Sequence, residues 1–366
     1  MSPDIQHGLR RAASFLVTAA PTFVAFPAGA ADTPEGADGT SPQIAAAPAA
    51  APVTASLEAT PGAMPEQVPP NELPTPAEAP PSPPPPSSPS YSLPWQLRPV
   101  TVGNVVRSDT NFARYENTAS QGGFTVASTL LASFKIPGTG GPGQGLAPVL
   151  RLAAVNDSPP TGNGGLAVVN PLIGAMYAMR IAGPIRAAAF LGMTVPIGMG
   201  GGNTPDPGLA DARNKGIPAR EAMDNSLFAV NDLAVIPGVG IGYIDHGFTL
   251  QGEATLFQLQ RVRGEAAQPE ASKTNFTCGL HAGWFVVPTL SVGVDVHYQR
   301  WLNAPIAVDK NSALVDNFTV AVGPRLHIPL GGKSWVRPGV AYARGVEKVM
   351  AAPNYHIVQL DVPVSF

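Results

Sequence analysis

From Trp95 to Phe366, apolar residues recur at every second position, in segments separated by turn-forming residues. That is the period of a strand with two unlike faces. Leu290, Val292, Val294, Val296 and Tyr298 alternate with Ser291, Gly293, Asp295, His297 and Gln299. Phe318, Val320, Val322, Leu326 and Ile328 stand against Thr319, Gly323, Arg325 and His327; Val336, Pro338, Val340 and Tyr342 stand against Arg337, Gly339 and Ala341. Pro324 and Pro338 lack a ladder donor and count against a central place for their segments. Twelve strands are predicted, over residues 97–107, 124–136, 147–155, 167–181, 185–197, 228–243, 247–260, 274–287, 290–302, 317–328, 334–344 and 355–366.

Two architectures use such ribbons. A soluble sandwich turns the apolar face inward. A closed barrel in a bilayer turns it outward and lines its interior with the small, polar face. Connection lengths separate the two. With the first strand starting on the periplasmic side, the even-to-odd connections are tight: AGP, IDH, PT and PLGGK after the fourth, sixth, eighth and tenth strands. The odd-to-even connections are long: NDSPPTGNGG, residues 198–225, GEAAQPEASK, NAPIAVDKNSALVD and GVEKVMAAP. Short inner turns with long outer loops are the barrel rule. PGTGGPGQG, after the second strand, is longer than that rule predicts. Aromatic residues agree with the barrel. Phe124, Phe276, Tyr298, Phe318 and Tyr342 fall at the outer ends of apolar faces, and Phe134, Tyr243, Phe248, Trp284 and Phe366 at the periplasmic ends. Two aromatic belts around an aliphatic band suit a bilayer. The opposite face is rich in glycine, at Gly238, Gly240, Gly242, Gly279, Gly283, Gly323 and Gly339, which suits sharply bent strands or a crowded lumen.

The strand predicted over 355–366 puts Leu360, Val362, Val364 and Phe366 on one face and Gln359, Asp361 and Ser365 on the other. A one-residue slip would turn Asp361 toward lipid, where a charge costs about 2–4 kcal/mol near the midplane, less for acids. Together these features resemble the bacterial outer-membrane β-barrel superfamily, over Leu97–Phe366. The resemblance implies an all-β fold, a closed antiparallel transmembrane β-barrel of about 12 strands in the outer membrane of a Gram-negative bacterium, in contact with its lipid. It also implies that Phe366, Val364, Val362 and Leu360 form a signal read by the barrel-assembly machinery. It carries over no catalytic or ligand residue.

Composition changes the picture before the ribbons begin. MSPDIQHGLRR followed by AASFLVTAAPTFVAFPAGA reads as an export signal over residues 1–30, with Ala28-Gly29-Ala30 as the cleavage pattern. Of 42 prolines, 13 lie in residues 61–89, and residues 31–94 hold almost no large apolar side chains. Such a stretch buries too little surface to offset ordering, so a disordered, semi-rigid periplasmic linker is expected. It is either inert or in contact with peptidoglycan or a periplasmic protein. Charged residues are 13% of the chain and the net charge is −3, which leaves no footprint for nucleic acid. The one cysteine, Cys278, excludes an internal disulfide and a cysteine-based zinc site, and parity puts it on the lipid face.

Twelve strands about 4.8 Å apart and tilted about 40° give a backbone diameter of roughly 24 Å, between filled barrels and open channels. Parity turns Lys135, Arg151, Arg180, Arg186, Arg325 and Arg337 inward, with Glu253, Asp295, Asp361, His281, His297 and His327. Neighbouring strands are expected to bring Asp295 to Arg325 and Arg337 to Asp361. These charges form either a salt-bridge ladder or a constriction whose basic excess favours anions. The longest loop, residues 198–226, either extends outward or folds in as a constriction. Folded in, it turns Asp206, Asp211, Arg213 and Arg220 to the lumen. LADARNKG and PAREAMDN are each expected to form a helical turn, Pro218 beginning the second. Asn203, Asp206 and Asp211 match no calcium loop, and the histidines show no close ligand spacing. No phosphate loop or Gly-x-Ser-x-Gly elbow is present. The reading is therefore not an enzyme, with no cofactor and no metal. No helix precedes the first strand to plug the pore. The expected function is a narrow porin-like channel for passive transport of small solutes. The alternative is a structural anchor whose proline-rich arm contacts peptidoglycan or a periplasmic partner.

Overall fold

The structure, a computed structural model, describes residues 91–366; the expected export signal and all but the last four residues of the expected linker lie outside them. The strands are β1 (Val105–Glu116), β2 (Gly122–Ser133), β3 (Gly145–Ser158), β4 (Gly165–Val168), β5 (Leu172–Ala182), β6 (Ile185–Thr194) and β7 (Asp232–Asp245). There follow β8 (Phe248–Arg261), β9 (Ser272–Val287), β10 (Leu290–Asn303), β11 (Asp316–Leu326), β12 (Ile328–Gly331), β13 (Ser334–Val336), β14 (Gly339–Gly345) and β15 (His356–Ser365). β4 and β5 form one stave broken at Pro171, β13 and β14 one broken at Pro338, and β11 and β12 one broken at His327. The result is a closed barrel of 12 antiparallel staves. β1 pairs with β15, from Val105 opposite Ser365 to Arg114 opposite His356, so no strand edge is left open.

Alternation decides which face is which. Along β10, Ser291, Asp295 and His297 are buried inside, while Val292 and Val294 face out. The outward residues form a continuous apolar band that water would not tolerate on a monomer. Phe124 and Tyr342 stand outward at the rim of the long loops, and Phe134, Tyr243, Phe248, Trp284 and Phe366 at the rim of the short turns. Phe366 packs edge-on against Phe134, and its N–H donates to the Asn104 carbonyl at 3.1 Å. Leu360, Val362 and Val364 lie on the same outward face of β15.

The first predicted strand is corrected. It runs over Val105–Glu116, not 97–107. Its outward face carries Ser108, Thr110 and Arg114, so it does not read as apolar. The Thr110 and Ser128 hydroxyls hydrogen-bond each other at 3.0 Å across β1 and β2, which satisfies them against hydrocarbon.

Residues 91–102 instead lie inside the barrel. The path begins near the short-turn end, where Ser92 N–H donates to Thr249 Oγ1. It rises to mid-height, where Trp95 N–H donates to Asp295 Oδ2. It then descends, and Val102 N–H reaches the carbonyl of Gly143 in the turn between β2 and β3. The inner-face glycines form its seat. A Cβ at Gly283 would clash with Ser92, at Gly339 it would stand 2.6 Å from the Trp95 ring, and at Gly279 2.6 Å from Leu97. At Gly238 it would stand 2.9 Å from Arg98 and at Gly242 2.9 Å from Val100.

The long loop between β6 and β7 also folds in. Its helix α1 (Pro207–Ala219) starts at Asp206, whose carboxylate accepts from Leu209 N–H at 3.0 Å, with Pro207 in the first turn. Pro218 lies in the last turn of α1 rather than beginning a second helix. Glu221 and Ala222 then adopt φ values of 56° and 59°. Two successive left-handed residues without glycine are strained, and at this point the Glu221 side chain enters the lumen to meet His297 and Thr319. A short α2 (Asn225–Phe228) follows, fully buried.

Candidate functional site

The site is the lumen, and its centre is Arg220. Its Nη1 lies 2.8 Å from Asp109 Oδ2 and donates to Asn111 Oδ1 at 3.0 Å. Its Nε donates to Asp224 Oδ2 at 3.0 Å and its Nη2 to Gln96 Oε1 at 2.8 Å. A planar guanidinium suits such a fork of acceptors. Burial pulls its pKa down, but Asp109 and Asp224 more than reverse this and leave it raised. Asp224 is also held by Arg151, at 2.5 and 2.7 Å. Burial pushes the Asp224 carboxyl up, yet Arg151 and Arg220 bring it below the usual carboxylate range.

A second cluster clips the loop and the lumenal segment to the same wall. Glu221 Oε2 meets His297 Nδ1 at 2.9 Å and accepts from the Thr319 hydroxyl at 3.1 Å. Asp295 meets His281 Nδ1 at 2.5 Å and accepts from the backbone of Trp95. Gln96 bridges both elements, since its amide also donates to Glu221 Oε1 at 3.3 Å. Below, Asp361 accepts from Arg107 Nε at 2.7 Å. Arg325 Nη2 stands 2.6 Å from Asp361 as an ion pair without hydrogen-bond geometry, and its guanidinium lies 4.3 Å above the Trp95 ring. Arg98 pairs with Glu253 at 2.6 Å.

Between the lumenal segment and the wall of β1, β2, β3, β5, β6 and β15, with Arg337 from the break between β13 and β14, lies a cavity of about 230 Å³. It extends from Arg151 and Leu172 at mid-height to Gly103, Ser133 and Ser365 at the short-turn end. Arg98, Arg107, Arg151 and Arg337 line it, and no carboxylate does.

The predicted inward residues divide into two groups. Arg151, Glu253, His281, Asp295, His297, Arg325, His327, Arg337 and Asp361 face the lumen. At the rim of the short turns Lys135 is half-buried and donates to the Gly140 carbonyl at 2.8 Å, and exposed Arg180 stands opposite the half-buried Arg186. The expected Asp295–Arg325 and Arg337–Asp361 contacts are replaced: Asp295 binds histidines and Trp95, and Asp361 binds Arg107 and Arg325. His327 Nε2 meets Ser291 Oγ at 2.8 Å. Of the four loop residues, only Arg220 enters the ion-pair cluster. Asp206 caps α1, Asp211 is exposed, and half-buried Arg213 bonds its neighbour Asn214.

Sequence reasoning missed Trp95, Gln96, Arg98, Arg107, Asp109, Glu221 and Asp224. With them, the mid-lumen cations Arg98, Arg107, Arg151, Arg220, Arg325 and Arg337 face an equal set of acids: Asp109, Glu221, Asp224, Glu253, Asp295 and Asp361. The expected basic excess is therefore confined to the cavity and the rim. The signal for the loop residues was REAMDN itself, three charges in six residues just before an apolar run.

No family model matches the chain, and no curated protein matches it. Solved structures do match. An outer-membrane channel from Pseudomonas putida F1 is similar at 12% identity and a TM-score of 0.47, over 74% of this chain and 98% of that one. The NanC porin is similar at 8% identity and 0.42, over 71% and 98%. The beta domain of the Bordetella autotransporter BrkA is similar at 12% and 0.41, over 72% and 100%.

Proposed function

We propose that the protein is a narrow outer-membrane channel that passes small solutes, prefers anions, and is closed in the arrangement described. The observation that supports this is the glycine seat of the lumenal segment. Small barrels are filled by the side chains of their own wall. Here the wall steps back at Gly238, Gly242, Gly279, Gly283 and Gly339, and a separate stretch of chain occupies the space. A filling that is not part of the wall is one that can leave. The carboxylate-free cavity beneath it supports the anion preference.

The test is conductance in planar bilayers, comparing the full chain with a variant lacking residues 91–100. The full chain is expected to give small, brief current steps and the variant larger, sustained ones, both with reversal potentials displaced toward the anion. Silence from both would remove the channel reading and leave the barrel as an anchor.

A further inference from the structure

The cavity has a chemistry more specific than positive charge. Three of its arginines are neutralised from behind: Arg98 by Glu253 at 2.6 Å, Arg107 by Asp361 at 2.7 Å and Arg151 by Asp224 at 2.5 Å. Arg337 is not. Among the described residues its guanidinium forms no ion pair and no hydrogen bond, and its Nε is buried without a partner. Its guanidinium carbon lies 5.9 Å from the centre of the Trp335 ring. The lining around these guanidinium groups is largely apolar: Leu131, Val149, Leu172, Met176 and Phe190.

The two halves of this lining make different demands. A small hydrated anion satisfies Arg337 but must leave water, or nothing, against the carbon wall. A neutral apolar molecule covers the carbon and leaves the half-buried Arg337 cation unpaired, which is costly. A carboxylate on a compact apolar body meets both demands. The volume equals that of about seven or eight liquid waters, enough for a single aromatic ring with its acid group.

We propose that this cavity is a binding site for small amphipathic organic anions, with Arg337 taking the carboxylate and the aliphatic wall taking the body. The proposal rests on the channel reading for its place in transport; binding itself does not require conduction.

The test titrates the full chain in detergent with benzoate, benzyl alcohol and inorganic phosphate by calorimetry, and measures chloride current in bilayers with and without benzoate. Benzoate is expected to bind saturably, with the alcohol and phosphate at least tenfold weaker. Arg337→Gln is expected to lose roughly tenfold in benzoate affinity, and Arg337→Lys to recover most of it. Equal binding of benzoate and phosphate overturns the proposal, as does an Arg337→Gln protein that binds like the parent. The ligand series on the unmodified chain decides the matter even where a variant fails to fold. Arg337-dependent binding in a protein that passes no current supports the site and removes the channel. Current without benzoate binding or block removes the site and keeps the channel.

Discussion

Replacing Arg220 by alanine should unseat the inward loop without opening the barrel. The side chain is fully buried and serves four acceptors: Asp109, Asn111, Asp224 and Gln96. Asp224 keeps Arg151 after the change, at 2.5 Å. Asp109 keeps only the Gln359 amide as a bonded partner, at 2.9 Å, and loses its contact ion pair, with Arg107 and Arg151 near but not touching it. Removing one partner of such a pair costs on the order of 3–5 kcal/mol. That cost is relieved when the loop lifts and water reaches Asp109, so it falls on the loop's closed state rather than on the strand ladders. At 1.4 kcal/mol per tenfold, the fraction of molecules with the loop lifted rises by roughly two to three and a half powers of ten. Hydrogen exchange measures this directly: amides of residues 207–228 should lose at least a hundredfold in protection, while amides of β8 to β10 stay protected. The double variant Arg220→Ala with Asp109→Asn should recover part of the loss, because the stranded charge is gone. Unchanged loop exchange in the single variant, or a double variant no better protected than the single, would refute the assignment of Arg220 as the latch.

Other outcomes follow from the same contacts. Gly242→Leu puts carbon into the space held by Val100 and should evict the lumenal segment, raising conductance while leaving thermal unfolding close to the parent. Gly323→Ala should be far more damaging, since its Cβ meets the Val340 carbonyl oxygen of the neighbouring stave; loss of heat-modifiable migration reports it. Leu360→Arg places a charge on the lipid face and should lower folding stability in bilayers by about 2–4 kcal/mol at mid-depth, read from the urea midpoint. Because Arg151 and Arg220 depress the Asp224 carboxyl, its contribution is complete above the ordinary value of 3.8 and is lost as pH falls through the depressed one. The difference in loop protection between the parent and Asp224→Asn should therefore be constant from about pH 5 to 8 and vanish in stronger acid.

The staves were legible where one face is aliphatic and the other small, as in β10, because period-two patterning follows directly from strand geometry. β1 was not, because its lipid face holds Ser108 and Thr110 and its inner face Arg107 and Asp109, so neither face reads as apolar. The same stretch hid the plug. Leu97 to Val102 alternate like a strand, but the alternation reflects contact with Gly279 on one side and Gly242 on another. Parity placed Arg151, Asp295 and Arg325 on the inner face but did not separate them from Lys135, Arg180 and Arg186 at the rim, and it could not pair them, since pairing depends on strand stagger and on chain that enters from outside the wall. The glycine row was visible from the start; what it makes room for is a fact of three dimensions.

The lumenal segment goes up and comes back down through one mouth, from Ser92 beside Thr249 to Trp95 at Asp295 and down to Val102 at Gly143. Withdrawing it threads nothing. Tension on Tyr91 from that mouth would act on the first leg, breaking the Ser92 contact before that of Trp95 and that of Trp95 before those of Arg98. Bonds loaded one after another yield to a much smaller force than the same bonds loaded together, so a seat with many polar contacts is still one that a modest pull can empty.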